Sequence, residues 1–177
     1  MIHEKYRELC IVPSDINDNL PILREFASEC THITELGVRA MVSTFAFLEG
    51  LPSGGKLVSI DIKDPSEYGG DAKAVKEAAK AKGIDFEFVL GSSLEVKLEE
   101  TDMIFFDTDH TYKQLTEELK LHAHKAKKFL AFHDIASCAQ ELVPAINEFL
   151  EANPAWRVVM YKLNNNGLVI LEHGTTD

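Results

Sequence analysis

Apolar residues along the chain alternate between short continuous runs and stripes that recur every three to four positions, the pattern of buried strands interleaved with amphipathic helices. Ile16, Leu20, Leu23 and Ala27 make the first stripe and predict a helix from about Asp15 to Glu29, capped by Ser14 or Asp15. Ile33 to Leu36 reads as the first strand, and a helix follows from about Val42 to Glu49, with Gly50 to stop it. After the turn Pro52-Ser53-Gly54-Gly55, Lys56 to Ile62 is the second strand. An Ala- and Lys-rich helix from Asp71 to Lys82 ends at Gly83, and Ile84 to Leu90 is the third strand. Met103 to Phe106 is wholly apolar, as in a strand buried on both faces. Tyr112 to Lys127 reads as helix and Phe129 to Phe132 as the fifth strand. Ala139, Leu142, Val143, Ile146, Phe149 and Leu150 form the last helical stripe, in which Pro144 is tolerable only in the first turn or at a kink. Two β-like runs, Trp156 to Leu163 and Leu168 to Glu172, flank Asn164-Asn165-Asn166-Gly167, a hairpin signal. Strands alternating with helices predict a parallel sheet covered on both faces.

No repeat, low-complexity tract or linker interrupts the 177 residues. One domain is expected over 1–177, with an N-terminal helical segment over 1–31 and a core over 32–173. Such a length buries a proper core without disulfides or a structural metal. Cys10, Cys30 and Cys138 are odd in number and widely spaced, which argues against a disulfide framework or a zinc motif and for buried thiols. A net charge of −11 opposes nucleic acid, whose phosphates need clustered Lys and Arg. The one basic cluster, His122 to Lys128, reads as a solvated helix end that complements the helix dipole. No apolar run is long enough for a bilayer, and the start MIHEKYRELC carries charges where a signal peptide is apolar. The expectation is a cytoplasmic protein with no membrane and no nucleic-acid partner.

In open α/β sheets, ligands bind beyond the carboxyl ends of the strands. After the first strand, Glu35-Leu36-Gly37-Val38-Arg39 leads to Ser43 at a helix start, where a glycine permits close backbone approach and free amides suit an anion. After the second comes Asp61-Ile62, and a carboxylate there can accept both hydroxyls of a ribose. Gly37 precedes Asp61 by about 24 residues, a spacing that suits one βαβ unit binding a nucleoside. After the third come Gly91 and Ser92, suited to an adenine edge or to a plain turn. After the fourth, Asp107-Thr108-Asp109-His110-Thr111-Tyr112 gathers three ionisable side chains behind a greasy strand, and His133-Asp134 follows the fifth. Asp109, Thr111 or Asp134 can be helix caps. Capping does not explain two histidines at adjacent strand ends.

Phe105-Phe106-Asp107-Thr108-Asp109-His110-Thr111-Tyr112, followed by a helix and Ala131-Phe132-His133-Asp134-Ile135, resembles one branch of the class I S-adenosylmethionine-dependent methyltransferases. That branch, of the methyltransferase domain family 24 type with a DxDH…HD pattern, includes small-molecule O-methyltransferases. The resemblance spans about Ile33 to Glu172. It implies a Rossmann-like three-layer α/β/α sandwich with a seven-stranded, mostly parallel sheet in the order 3-2-1-4-5-7-6, the last strand antiparallel. It further implies S-adenosylmethionine as cofactor, held by Glu35, Gly37, Arg39, Ser43, Asp61, Ile62, Gly91, Ser92 and Asp107. His110 with Asp107 would be catalytic, His110 as general base for an acceptor hydroxyl. Asp107, His133 and Asp134 would hold Mg²⁺ or another divalent cation. The family's second glycine is replaced by Met41-Val42, Thr108 stands for a usual glycine, and Lys113 for a usual acid. The acceptor would be a small molecule, bound by short loops such as Pro65 to Gly70 or across a homodimer. Two alternatives stay open at this point: a non-catalytic or degenerate S-adenosylmethionine-binding protein, and another Rossmann-like nucleotide-binding enzyme. The absence of GxGxxG counts against a nicotinamide-dependent reductase.

Overall fold

The computed structural model describes residues 1–174; the last three residues of the expected 1–177 domain lie outside the described residues. Seven strands form one sheet: β1 (His32–Leu36), β2 (Lys56–Asp61), β3 (Asp85–Leu90), β4 (Thr101–Phe106), β5 (Ala126–His133), β6 (Trp156–Lys162) and β7 (Leu168–His173). Their order is β3-β2-β1-β4-β5-β7-β6, as the resemblance implies. β1 to β5 pair in parallel, and β7 enters antiparallel to β5 and β6. The central strands are apolar on both faces because helices cover both. Phe105, Met103, Ile33 and Leu57 pack on one side with α2 (Leu20–Ala27), α3 (Val42–Gly50) and α4 (Ala72–Lys82). Phe106, Ile104, Leu130 and Phe132 pack on the other with α5 (Tyr112–His122) and α6 (Ala139–Ala152). The period of two along each strand thus feeds two separate cores.

Local details differ from, or add to, the expected elements. The amino-terminal segment forms a helix of its own, α1 (Ile2–Ile11), where only the next stripe had a clear period. That next helix starts at Leu20, after a 3₁₀ turn at Asn17–Asn19, and not at Asp15, because Ser14 folds the chain into a tight turn through its backbone bond to Asn17 and its hydroxyl bond from Ile16. The helix expected to reach Lys127 stops at His122: the His122 ring is buried against the Ser93 carbonyl, and Lys127 and Lys128 sit on the exposed start of β5, not at a helix end. Between β3 and β4 the third crossover carries no helix. Val96 and Leu98 from that loop cover the sheet in its place. Pro144 lies in the second turn of α6, beyond the first-turn allowance, on an exposed face where the Gln140 carbonyl it leaves unpaired can turn to water. No helix among the described residues is long and apolar enough to cross a membrane.

Candidate active site

The strand order puts the carboxyl ends of β1, β2, β3, β4 and β5 on one edge, and a cleft of about 880 Å³ runs along it. β1 and β4 separate in opposite directions there, which is the topological switch where doubly wound sheets bind ligands.

The half over β1, β2 and β3 is shaped by backbone. Gly37 follows β1 with φ +85, and its amide donates to the Ile60 carbonyl at 2.9 Å. A Cβ there would stand 1.9 Å from the Asp107 carbonyl oxygen, so the loop after β1 touches the loop after β4 at a point where only glycine fits. Two residues on, Arg39 has φ +45, and two further, Met41 has φ +66. The backbone therefore keeps a left-handed conformation at every second position, although only Gly37 is glycine. The lost second glycine does not remove the turn. Met41, 1% exposed, anchors it in the core and serves as the N-cap of α3.

Asp61 ends β2 and ties this loop down. Its Oδ2 accepts from the Val38 and Arg39 amides at 2.8 and 2.9 Å, and its Oδ1 from the Lys63 amide at 2.9 Å. An ionised carboxylate offers about four acceptor positions, so one remains for a ligand. Gly37, Arg39, Ser43, Asp61, Ile62, Gly91, Ser92 and Asp107 all border the cleft. Ile62 is 68% exposed there, an apolar surface with nothing yet against it.

Glu35 is not on the wall, contrary to expectation. It is fully buried one layer below, because alternation along β1 turns it toward α3. There it accepts from Ser43 and Ser59 at 2.5 Å and from Thr44 at 2.8 Å. Burial raises its pKa to about 7 against the opposing pull of the three hydroxyls. Glu35 holds Ser43 and the start of α3 from behind.

The half over β4 and β5 is shaped by side chains. His110 Nε2 lies 3.3 Å from Asp107 Oδ1 and 3.1 Å from Asp134 Oδ2; His133 Nδ1 lies 3.4 and 3.0 Å from the same two oxygens. Thr111, not Asp109, caps α5, accepting from the Gln114 amide at 3.3 Å, which leaves the preceding loop free to aim His110. Asp134 does not cap α6, whose N-cap is Cys138; it adopts φ +60 and swings its carboxylate back over β5. Ser137 and Asn166 bind its Oδ1, so Oδ2 is the oxygen offered to the histidines.

His133 is 2% exposed. Its Nε2 sits 3.2 Å from the Asp15 and Asn165 carbonyls, which only accept, so the hydrogen is on Nε2. Nδ1 then faces two carboxylates without an aligned hydrogen bond. Burial opposes its charge, but the carboxylates outweigh burial and push the pKa up to about 10. The Asp107 carboxylate likewise holds His110 above the ordinary imidazole value, and His133 with Ser137 holds Asp134 well below the carboxylate range despite burial. With Nε2 anchored on carbonyls, His133 turns Nδ1 to two carboxylates, where a divalent cation would displace the proton, and Asp107, His133 and Asp134 place their donor atoms within 4.8 Å of one another.

Sequence reasoning missed part of this wall. Asp15 and Asn165 act through backbone carbonyls, which leave no trace in residue type. Asn166, with φ +65, reads as hairpin punctuation and is also a clamp on Asp134. Tyr68, from the 3₁₀ turn at Pro65–Tyr68, borders the cleft within the loop expected to meet an acceptor.

No protein-family model and no curated protein sequence matches the chain. Solved structures do. An O-methyltransferase from Bacillus cereus in complex with SAH is 17% identical with a TM-score of 0.64, over 96% of this chain and 90% of that one. A methyltransferase from Geobacter sulfurreducens is 14% identical with a TM-score of 0.69, over 96% and 83%. The O-methyltransferase TomG from Streptomyces achromogenes, in complex with SAM, is 14% identical with a TM-score of 0.64, over 98% and 87%. At these identities the likeness is one of architecture: the chain has the Rossmann-like fold of the class I methyltransferases.

Proposed function

We propose that this protein is an S-adenosylmethionine-dependent methyltransferase that methylates a hydroxyl of a small molecule. One observation carries the reading: a nucleoside-sized cleft bounded by Gly37 and Asp61 opens directly onto the Asp107, His110, His133 and Asp134 cluster. The solved O-methyltransferases of the same fold, with SAH or SAM bound, support it. One domain over 1–177, a cytoplasmic setting and a homodimer that completes the acceptor pocket belong to the same proposal.

Asp61 presents its remaining acceptor position to ribose hydroxyls, the amide of Ser43 in the first turn of α3 faces the amino-acid end, and Ile62, Gly91 and Ser92 flank the base. Bound S-adenosylmethionine would supply a methyl on a positively charged sulfur, a group that an acceptor oxygen can take with a neutral thioether as leaving group. His110 is the catalytic base: its Nε2–H is held by the Asp107 and Asp134 carboxylates, which leaves Nδ1 to take the acceptor's proton. Asp107 and Asp134 orient that ring and carry its positive charge once protonated. Asp107, His133 and Asp134 are the residues that would hold a divalent cation, which lowers a hydroxyl pKa and offsets the carboxylate charge around His110. His133 keeps Nδ1 toward that position because two backbone carbonyls fix Nε2–H.

Calorimetry with S-adenosylhomocysteine tests the reading. Wild type should bind, and Asp61→Ala should weaken binding at least about tenfold, since it removes a charged acceptor and the tie on the Val38–Arg39 loop. Absence of heat with both S-adenosylhomocysteine and S-adenosylmethionine would sink it, as would preferential binding of NADH.

A further inference from the structure

The cation position just described is not the only set of donors on this wall. His110, Asp134 and Cys138 also bring a nitrogen, an oxygen and a sulfur within 4.8 Å of one another, and Asp134 belongs to both sets. We propose that these three residues form a second, thiophilic cation site, selective for a Zn²⁺-class ion, in the same cleft.

The backbone builds the set. The Cys138 amide donates to the Asp134 carbonyl at 2.8 Å, a single turn that brings the thiol alongside the carboxylate. Ser137 and Asn166 occupy Asp134 Oδ1 and leave Oδ2 facing His110 Nε2 at 3.1 Å. Tetrahedral zinc with N, O and S ligands at about 2.0–2.3 Å keeps those atoms about 3.3–3.7 Å apart, so the side chains need only small rotations to close on an ion. A second observation points to a cation independently of the cysteine. The buried His133 ring aims an unpartnered Nδ1 at the same Asp134 Oδ2 from 3.0 Å. All three donor residues border the cleft, and Cys138 is a free, half-buried thiol, so an ion has access.

Donor chemistry separates the two sets. Asp107, His133 and Asp134 offer two hard oxygens and one nitrogen; the second set replaces an oxygen with sulfur and suits zinc, cobalt or copper over magnesium or manganese. Occupation of the second set engages His110 Nε2 and so ties up the ring whose other nitrogen is assigned to take the acceptor proton. Resting on the methyltransferase reading, this makes the site inhibitory: a thiophilic ion removes the base while a harder ion leaves it free.

The test uses the full chain after chelator treatment. Titration with Co²⁺ should produce a near-ultraviolet thiolate-to-cobalt absorption that Cys138→Ser abolishes and Cys10→Ser retains. Serine is a good N-cap, so the variant keeps α6. Competition with a chromophoric chelator should show Zn²⁺ held at least about tenfold more weakly by Cys138→Ser, with Mn²⁺ affinity changed by less than about twofold. A cobalt complex without the thiolate band, or a band that survives Cys138→Ser, would overturn the site. So would zinc affinity unchanged in that variant, which would place the ion on Asp107, His133 and Asp134. S-adenosylhomocysteine calorimetry on the wild type reports the cofactor reading separately, so the two can fail independently.

Discussion

Over β1 and β2 the wall of the cleft is backbone; over β4 and β5 it is side chains. In the first half, left-handed φ values recur at Gly37, Arg39 and Met41, and the loop is held by Asp61 and by Glu35 beneath it. In the second half, four ionisable residues face one another within 3.0–3.4 Å. A site built from peptide groups tolerates a change of residue wherever the conformation survives. A site built from imidazoles and carboxylates does not. Arg39 and Met41 illustrate the first case, since they hold left-handed conformations that glycine adopts without strain.

The halves meet at Gly37, where an added Cβ would stand 1.9 Å from the Asp107 carbonyl oxygen. Gly37→Ala should therefore have the largest effect of any single methyl in the cleft. Steric overlap with backbone adds to the cost of a left-handed alanine, about 4 kcal/mol together. Urea denaturation should show it, with a parallel loss of S-adenosylhomocysteine binding. A loss below about 1 kcal/mol would mean the two loops move independently.

His110→Ala cuts the other half alone. Turnover should fall about 10²–10³-fold, roughly 3–4 kcal/mol of barrier, with S-adenosylhomocysteine affinity kept. If binding is abolished and the rate per bound cofactor is unchanged, His110 belongs to the cofactor half and the division is wrong.

The same division governs what was legible in the sequence. The strands and the DxDH…HD cluster could be read, because burial on both faces makes Met103 to Phe106 continuously apolar and because side-chain chemistry is written in residue names; the order of the strands came only from the resemblance to methyltransferases. Gly37 and Asp61 could be placed at strand ends for the same reason. Glu35 was misplaced because residue type does not say which way a strand residue points when both faces are buried. Asp15 and Asn165 were invisible because they act through carbonyls. Met41 and Arg39 misled in the other direction: a turn normally marked by glycine persists without it. The helix over Tyr112 to Lys127 overran because nothing in Ala123 to Lys127 breaks a helix; the buried His122 ring and pairing of Ala126 with Thr101 end it.

Glu35 offers a sharper cut beneath the backbone half. Its folded pKa of about 7 exceeds the ordinary 4.5, so the native state holds a proton that the unfolded chain releases between these values. Stability from this group is fully present below about pH 4.5 and declines as pH rises to about 7. Glu35→Gln keeps the shape without the charge. Its stability relative to wild type should improve by about 3 kcal/mol between pH 4.5 and pH 8. A difference that does not vary with pH would mean the carboxylate stays ionised throughout on its three hydroxyl donors.

The smallest effect is expected at Arg39, where two weak terms oppose. Its φ of +45 costs about 1 kcal/mol for a residue with a Cβ, and glycine would remove that strain. Against this, Arg39→Gly loses the guanidinium pair with Asp15 at 2.8 Å, and a glycine frees more of the unfolded chain. That pair is solvent-exposed, its side chains 68% and 35% accessible, so it is worth under about 1 kcal/mol. The terms nearly cancel, and the melting midpoint should move by less than about 4 °C. Such a near-neutral change two residues from Gly37, where one methyl is costly, is what a wall made of backbone predicts. A larger loss would mean that Arg39, through Asp15, also steadies the carbonyl that orients His133, and that the backbone half supports the side-chain half from a distance.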